Sequence, residues 1–161
     1  MKTPWESELA QFLNDLSAVQ DETLGVLVKK REFLVASDTE GLASVNRQEE
    51  SLLERLQECL KRREELLGRA AQEGLPATNL DTLSRALPRS ERTSLSERMQ
   101  SARSKTRLLQ HHSLVNWMLV QRTLLHLSQV LEIIATGGRL QPTYGRRGPV
   151  ETSGSLVDGA V

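Results

Sequence analysis

Residues 114–134 read LVNWMLVQRTLLHLSQVLEII, and thirteen of these twenty-one positions are apolar. A helix lying on a small bundle needs an apolar stripe only somewhat over about 100° wide, so one face does not hold them all. Trp117, Val120, Leu124, Leu127, Leu131 and Ile134 fall at heptad-like spacing and form or border one groove-lining stripe. The excess has to meet a second helix, a second subunit or another protein. The run stops at Gly137 and Gly138 and gives way to RLQPTYGRRGPVETSGSLVDGAV, residues 139–161. That tail has neither periodicity nor the apolar mass to fold, so it is expected to lack fixed structure in the free protein. An apolar helix followed by a polar, Gly-rich tail points to a protein that binds other proteins.

Upstream, the same helix extends back to near Ser90, with Ser90, Thr93 or Ser94 as alternative caps. Its seam runs Leu95, Met99, Ala102, Thr106, Leu109, Ser113, Asn116 and on through Val120 to Ile134. Pro4 suits the first position of a helix, with Thr3 and Glu6 spaced as in a capping box. From there Leu9, Phe12, Leu13, Leu16, Val19, Leu27, Val28 and Leu34 carry one stripe to about Ala36, with Gly25 as its weak point. Ser37-Asp38-Thr39 supplies capping side chains for a second long helix to about Gln72, whose seam reads Leu42, Val45, Glu49, Leu52, Leu53, Leu56, Leu60, Arg63, Leu67. On it, Glu58 with Arg62 and Glu65 with Arg69 are i,i+4 pairs on a solvated face. Gly74-Leu75-Pro76 ends this helix, and residues 77–89 hold a short helical turn, Asn79 to Leu87, before Pro88. The expected fold is all-α: three long helices in an elongated, coiled-coil-like antiparallel arrangement over residues 1–138, then a flexible tail over 139–161. At 1.5 Å per residue the last helix spans roughly 70 Å and the first two roughly 50 Å each.

Composition agrees. Aromatic residues make up 3% and charged residues 26% of 161 residues, a long-helix composition of single-domain size. Net charge is zero, yet residues 1–74 hold 10 Lys+Arg against 15 Asp+Glu, and residues 75–161 hold 11 against 6. The arginines of the second half are scattered, so the asymmetry reads as an acidic hairpin folding against a more basic partner rather than as a nucleic-acid footprint. Cys59 is the one cysteine, which rules out an internal disulfide. MKTPWESELAQF is polar and amphipathic rather than a signal peptide, and the expected compartment is the cytosol. Asn116, Gln121, Arg122, His126, Gln129 and Glu132 interrupt the apolar run, which argues against a membrane span.

Catalytic and cofactor motifs are missing: no phosphate-binding Gly loop, paired-Cys metal motif or nucleophile elbow occurs. Adjacent His111 and His112 point to different faces, with His126 too far along to share a metal with them. Cys59, amid Glu58, Lys61 and Arg62, has no His partner and reads as structural. Glu49-Glu50 and Glu64-Glu65 read as a solvated helix surface. The chain is therefore expected to be neither an enzyme nor a cofactor binder. Trp117 has two readings, packing inside the bundle or contact with a partner, where tryptophan is enriched at hot spots. Tyr144, flanked by Pro142, Gly145 and Gly148 with Arg146 and Arg147 beside it, has the make-up of a short linear motif.

Two blocks carry a family resemblance. LVKKREFLVASDTEGLASVNRQEESLLERLQECLKRREELL, residues 27–67, and NWMLVQRTLLHLSQVLEIIATGGRLQPTYGRRG, residues 116–148, resemble the FlgN family of flagellar export chaperones. The likeness lies in the order of a basic helix end, the Asp38 turn, an acidic helix with Leu52-Leu53 and Arg62-Arg63, an apolar final helix and a Tyr-Gly tail. Helix one matches only in pattern, and residues 75–113 hardly at all. The resemblance implies a cytosolic chaperone that holds the terminal helical segments of hook–filament junction proteins before their export. Trp117, Val120, Leu124, Leu127, Leu131 and Ile134 would then border the client groove, and Tyr144, Arg146 and Arg147 would dock on the export gate. Two other classes stand beside it: a coiled-coil homo-oligomer or scaffold using the same apolar surface as a stable homodimer interface, where the chaperone would be a monomer or weak homodimer, and a regulatory nucleic-acid adaptor.

Overall fold

Helix α1 spans Pro4–Ala36 and α2 spans Thr39–Gln72, in a computed structural model that describes residues 4–137, the side chains of 89–91 excepted. The expected limits of both helices are met, and the chemistry at their ends explains why. Past Ala36 the chain turns through Ser37 at φ 56°. The Asp38 amide donates to the Phe33 carbonyl at 3.0 Å and the Ser37 amide to that of Leu34 at 3.3 Å. These are the paired bonds of a Schellman ending, here with serine in the left-handed position usually given to glycine. Asp38 then caps α2, its side chain accepting from the Gly41 amide at 2.9 Å. Gly41 lets the turn close: a Cβ there would lie 2.5 Å from Phe33 Cδ1 and 2.7 Å from Asp38 Oδ2, so those side chains would have to shift.

At the other end of α2 the motif repeats with Gly74 at φ 76°. Leu75 donates to Ala70 at 2.9 Å and Gly74 to Ala71 at 3.0 Å, while the Leu75 side chain packs on the cluster that contains Ala70. The short turn expected at 79–87 is a capped helix, α3, Leu80–Ala86. Asn79 Oδ1 accepts from the Thr82 amide at 2.8 Å, and the Asn79 amide donates to Thr82 Oγ1 at 3.1 Å. Helix α4 is Arg89–Thr136. The described residues therefore form four helices, three long and one short, rather than three.

The chain divides into two units, Met1–Asn116 and Trp117–Val161. In the first, α1 and α2 are antiparallel and joined by a ladder of ion pairs at nearly heptad intervals: Glu8 with Arg69, Asp15 with Arg62 at 2.6 Å, Glu22 with Arg55 at 2.5 Å, and Lys30 with Glu49 at 2.5 Å. The last rung reverses polarity, so sliding the helices past each other would set like charges together. Helix α4 runs parallel to α1, with Arg98 on Asn14, Lys105 on Ser17 and Asp21, and Gln20 donating to the Ala102 carbonyl and to Thr106 Oγ1. One apolar cluster gathers Leu9, Phe12 and Leu13 of α1, Leu66 and Ala70 of α2, Leu83, Leu87, and Leu95 and Met99 of α4. A second joins Val19 and Val26 to Val45 and Leu52.

The structure departs from three sequence expectations. Of the expected α2 seam, Val45 and Leu52 are buried and Leu42, Leu56 and Leu67 half-buried, but Leu53 and Leu60 are about half exposed, and the buried line runs on from Leu52 through half-buried Cys59 to Leu66 and Ala70. The helix is rotated by one residue because that orientation lays Arg55, Arg62 and Arg69 beside the carboxylates of α1. For the same reason Arg62 and Arg69 pair across to Asp15 and Glu8, not along α2 with Glu58 and Glu65. On α1, Val26 is buried and Val28 exposed; Gly25 leaves the helix unbroken.

Candidate functional site

The seam of α4 is buried in the first unit at Leu95, Met99, Ala102 and Asn116, with Leu109 half-buried and Ser113 exposed. Its character changes along the way. Leu95 and Met99 sit in the apolar cluster, whereas Thr106, His112 and Asn116 meet α1 through polar groups. Asn116 Nδ2 donates to the Leu27 carbonyl at 2.8 Å, and Arg31 Nη2 donates to His112 Nδ1 at 2.7 Å. That donation requires an unprotonated Nδ1. Burial first, then the charges of Arg31 and His111, hold the His112 pKa below its ordinary value. The two histidine rings touch edge to face, 5.7 Å between centroids.

In the second unit the same heptad positions are bare. Trp117 is 58% exposed, Leu124 53% and Leu131 65%. Leu127 and Ile134 are also exposed and Val120 is half-buried, so all six residues expected to line a groove lie along one stripe roughly 100° wide on the helix. Trp117 is an exposed residue, which removes the reading that packs it inside the bundle. Met118, Leu125 and Ile133, from the excess noted in the sequence, are exposed on the remaining faces. Thr123 and Thr136 turn their hydroxyls back to the carbonyls of Leu119 and Glu132 at 3.0 and 2.6 Å, which leaves the surface more apolar still. Between Trp117 and Thr136 the formal charges are Arg122 and Glu132 alone. So many large exposed side chains, almost uncharged, exceed what a monomer surface ordinarily carries and make this stripe the candidate binding surface. Tyr144, Arg146 and Arg147 lie outside the described residues.

The remaining candidates for chemistry stay inert. Cys59 is half-buried between α1 and α2, and burial, followed by the charge of Asp15, pushes its thiol pKa up, away from reactivity. Among the described residues no group of three or more His, Cys, Asp or Glu side chains could hold a metal ion. No described helix is long and apolar enough to cross a membrane. Sequence reasoning missed the interhelical roles of Gln20 and Arg31; polar residues at seam positions, Thr106 and Asn116 among them, were the available signal.

Comparison with curated proteins and with solved structures returns no match for either. The family model described as FlgN protein, however, matches residues 1–152. Nearly the whole chain is covered, including the first helix and the 75–113 segment, and the chain belongs to the FlgN family of non-catalytic chaperones of flagellar type III secretion.

Proposed function

We propose that the protein holds hook–filament junction proteins in the cytoplasm and delivers them for export, the client's terminal helical segment lying along Trp117, Val120, Leu124, Leu127, Leu131 and Ile134. The observation that carries this reading is the bare apolar stripe of the second unit in a chain of this family. Such a client segment is amphipathic and has no cover for its own apolar face until it assembles, so helix-in-groove pairing serves both surfaces. Nearly uncharged walls leave recognition to shape and apolar contact, and release needs no nucleotide chemistry in this chain.

The test is calorimetric titration of a terminal client segment into the protein and into its Leu124→Ala/Leu131→Ala double variant, with circular dichroism on both. Loss of several kcal/mol of binding at unchanged helicity is expected if these are hot-spot anchors. Unfolding of the variant would mean instead that these residues are core. Residues 139–161 are proposed as a separate docking segment for the export gate, with Tyr144 as its aromatic anchor and Arg146 and Arg147 as its cations. Tyr144→Ala should then spare client affinity and reduce gate binding and client secretion. The same bare stripe also suits a homodimer, which sedimentation distinguishes: a tight dimer unable to take up the client segment would favour a scaffold role.

A further inference from the structure

Gly25 lies between the rungs Glu22–Arg55 and Lys30–Glu49. There a cleft of about 560 Å³ opens, lined at its base by the edges of buried Val26 and Leu52 and around its rim by Glu22, Lys29, Arg47 and Arg55. Arg55 is held by Glu22 through two hydrogen bonds, 2.5 and 3.1 Å. Lys29 and Arg47 are exposed, and among the described residues neither has a carboxylate at ion-pair distance. Arg47 Nε turns back to the Ala43 carbonyl of its own helix at 3.4 Å. Gly25 does nothing for the fold that accounts for it. Its φ is not positive, and a Cβ added there would meet nothing within 4 Å, while a glycine inside a helix is less favourable than alanine. Its effect is to keep the cleft open down to the backbone.

We propose that this cleft binds an acidic segment of another protein, an aliphatic side chain entering the gap over Gly25 and flanking carboxylates meeting Lys29 and Arg47. Charge complementarity selects the occupant, since two unpaired cations stand where every neighbouring rung is paired. The hairpin around the cleft is acidic, with 15 Asp+Glu against 10 Lys+Arg over residues 1–74, which repels an extended polyanion such as a nucleic acid more than a short acidic segment meeting only Lys29 and Arg47. The site uses residues of the first unit alone and does not rest on the client-holding reading.

The test is nuclear magnetic resonance of the full-length ¹⁵N-labelled protein at low salt, titrated with the capped hexapeptide ELEELE. Its controls are the same peptide with Gln for Glu and a single-stranded DNA oligonucleotide. Saturable shifts at Gly25, Lys29 and Arg47 are expected, with affinity at least roughly tenfold lower for the Gln peptide and for the Lys29→Glu/Arg47→Glu variant, as removal of complementary charge implies. Gly25→Leu should raise the melting temperature and also block the peptide, a combination that a purely structural glycine would not give. No saturation into the millimolar range, shifts confined elsewhere, undiminished binding to Gly25→Leu, or DNA competing as well as the acidic peptide would each overturn the proposal.

Discussion

The two stretches of α4 on either side of Asn116 carry the same apolar repeat and meet opposite fates. In the first unit Leu95, Met99 and Ala102 are buried, the first two in a cluster with Phe12, Leu13, Leu66 and Leu83. In the second, Trp117, Leu124, Leu127 and Leu131 are about half exposed or more. A heptad stripe thus specifies a surface that needs cover, not where the cover comes from. Within the first unit the chain supplies it; for the uncovered part, a client is proposed to do so. The transition is graded by polar residues at Thr106 and Asn116, which trade apolar burial for hydrogen bonds with α1.

That contrast can be broken by mutation, starting from the largest expected effect. Phe12→Ala removes a side chain that is 1% exposed and should cost about 3–5 kcal/mol in urea unfolding. Gly41→Ala forces a Cβ against Phe33 and Asp38 at the first turn, with an expected loss of about 1–3 kcal/mol. Acid should weaken the first unit through His112. Its folded pKa lies below the ordinary 6.5, so between the two values the unfolded chain holds a proton that the native one does not. Stability therefore falls as pH drops below about 6.5 and levels off beneath the folded value. His112→Gln should remove this component from a pH series of melting temperatures. Arg62→Ala breaks a half-exposed rung and should cost only about 0.2–1 kcal/mol. Smallest of all, Leu124→Ala or Leu131→Ala should change stability by no more than about 0.5 kcal/mol each, despite removing leucines from the same repeat. A loss like that of Phe12→Ala would erase the distinction between the two stretches.

Much of the fold was legible because its punctuation is local. Asp38 and Gly74-Leu75-Pro76 mark helix limits through capping chemistry that depends on neighbouring residues only, and Asn79 marks α3 in the same way. The rotation of α2 was not legible, since Leu52-Cys59-Leu66 and Leu53-Leu60-Leu67 are adjacent heptads of similar apolar content. What selects the first is the set of carboxylates on α1, a partner that periodicity along α2 does not reveal. The i,i+4 pairs expected for Arg62 and Arg69 failed for this reason. Of the candidate site, the six members of the stripe could be read from spacing, but their exposure could not: the default reading of Trp117 from sequence is packing inside a bundle, and it is exposed.

Hydrogen exchange on the full-length protein, free and bound to the terminal helical segment of a hook–filament junction protein, tests the central claim most directly. In the free protein, amides across 117–134 should exchange faster than those of Leu95 to Ala102, and client binding should slow the former while leaving the latter unchanged. Protection of 117–134 in the free protein equal to that of the core, or client-induced protection confined to the first unit, would contradict it.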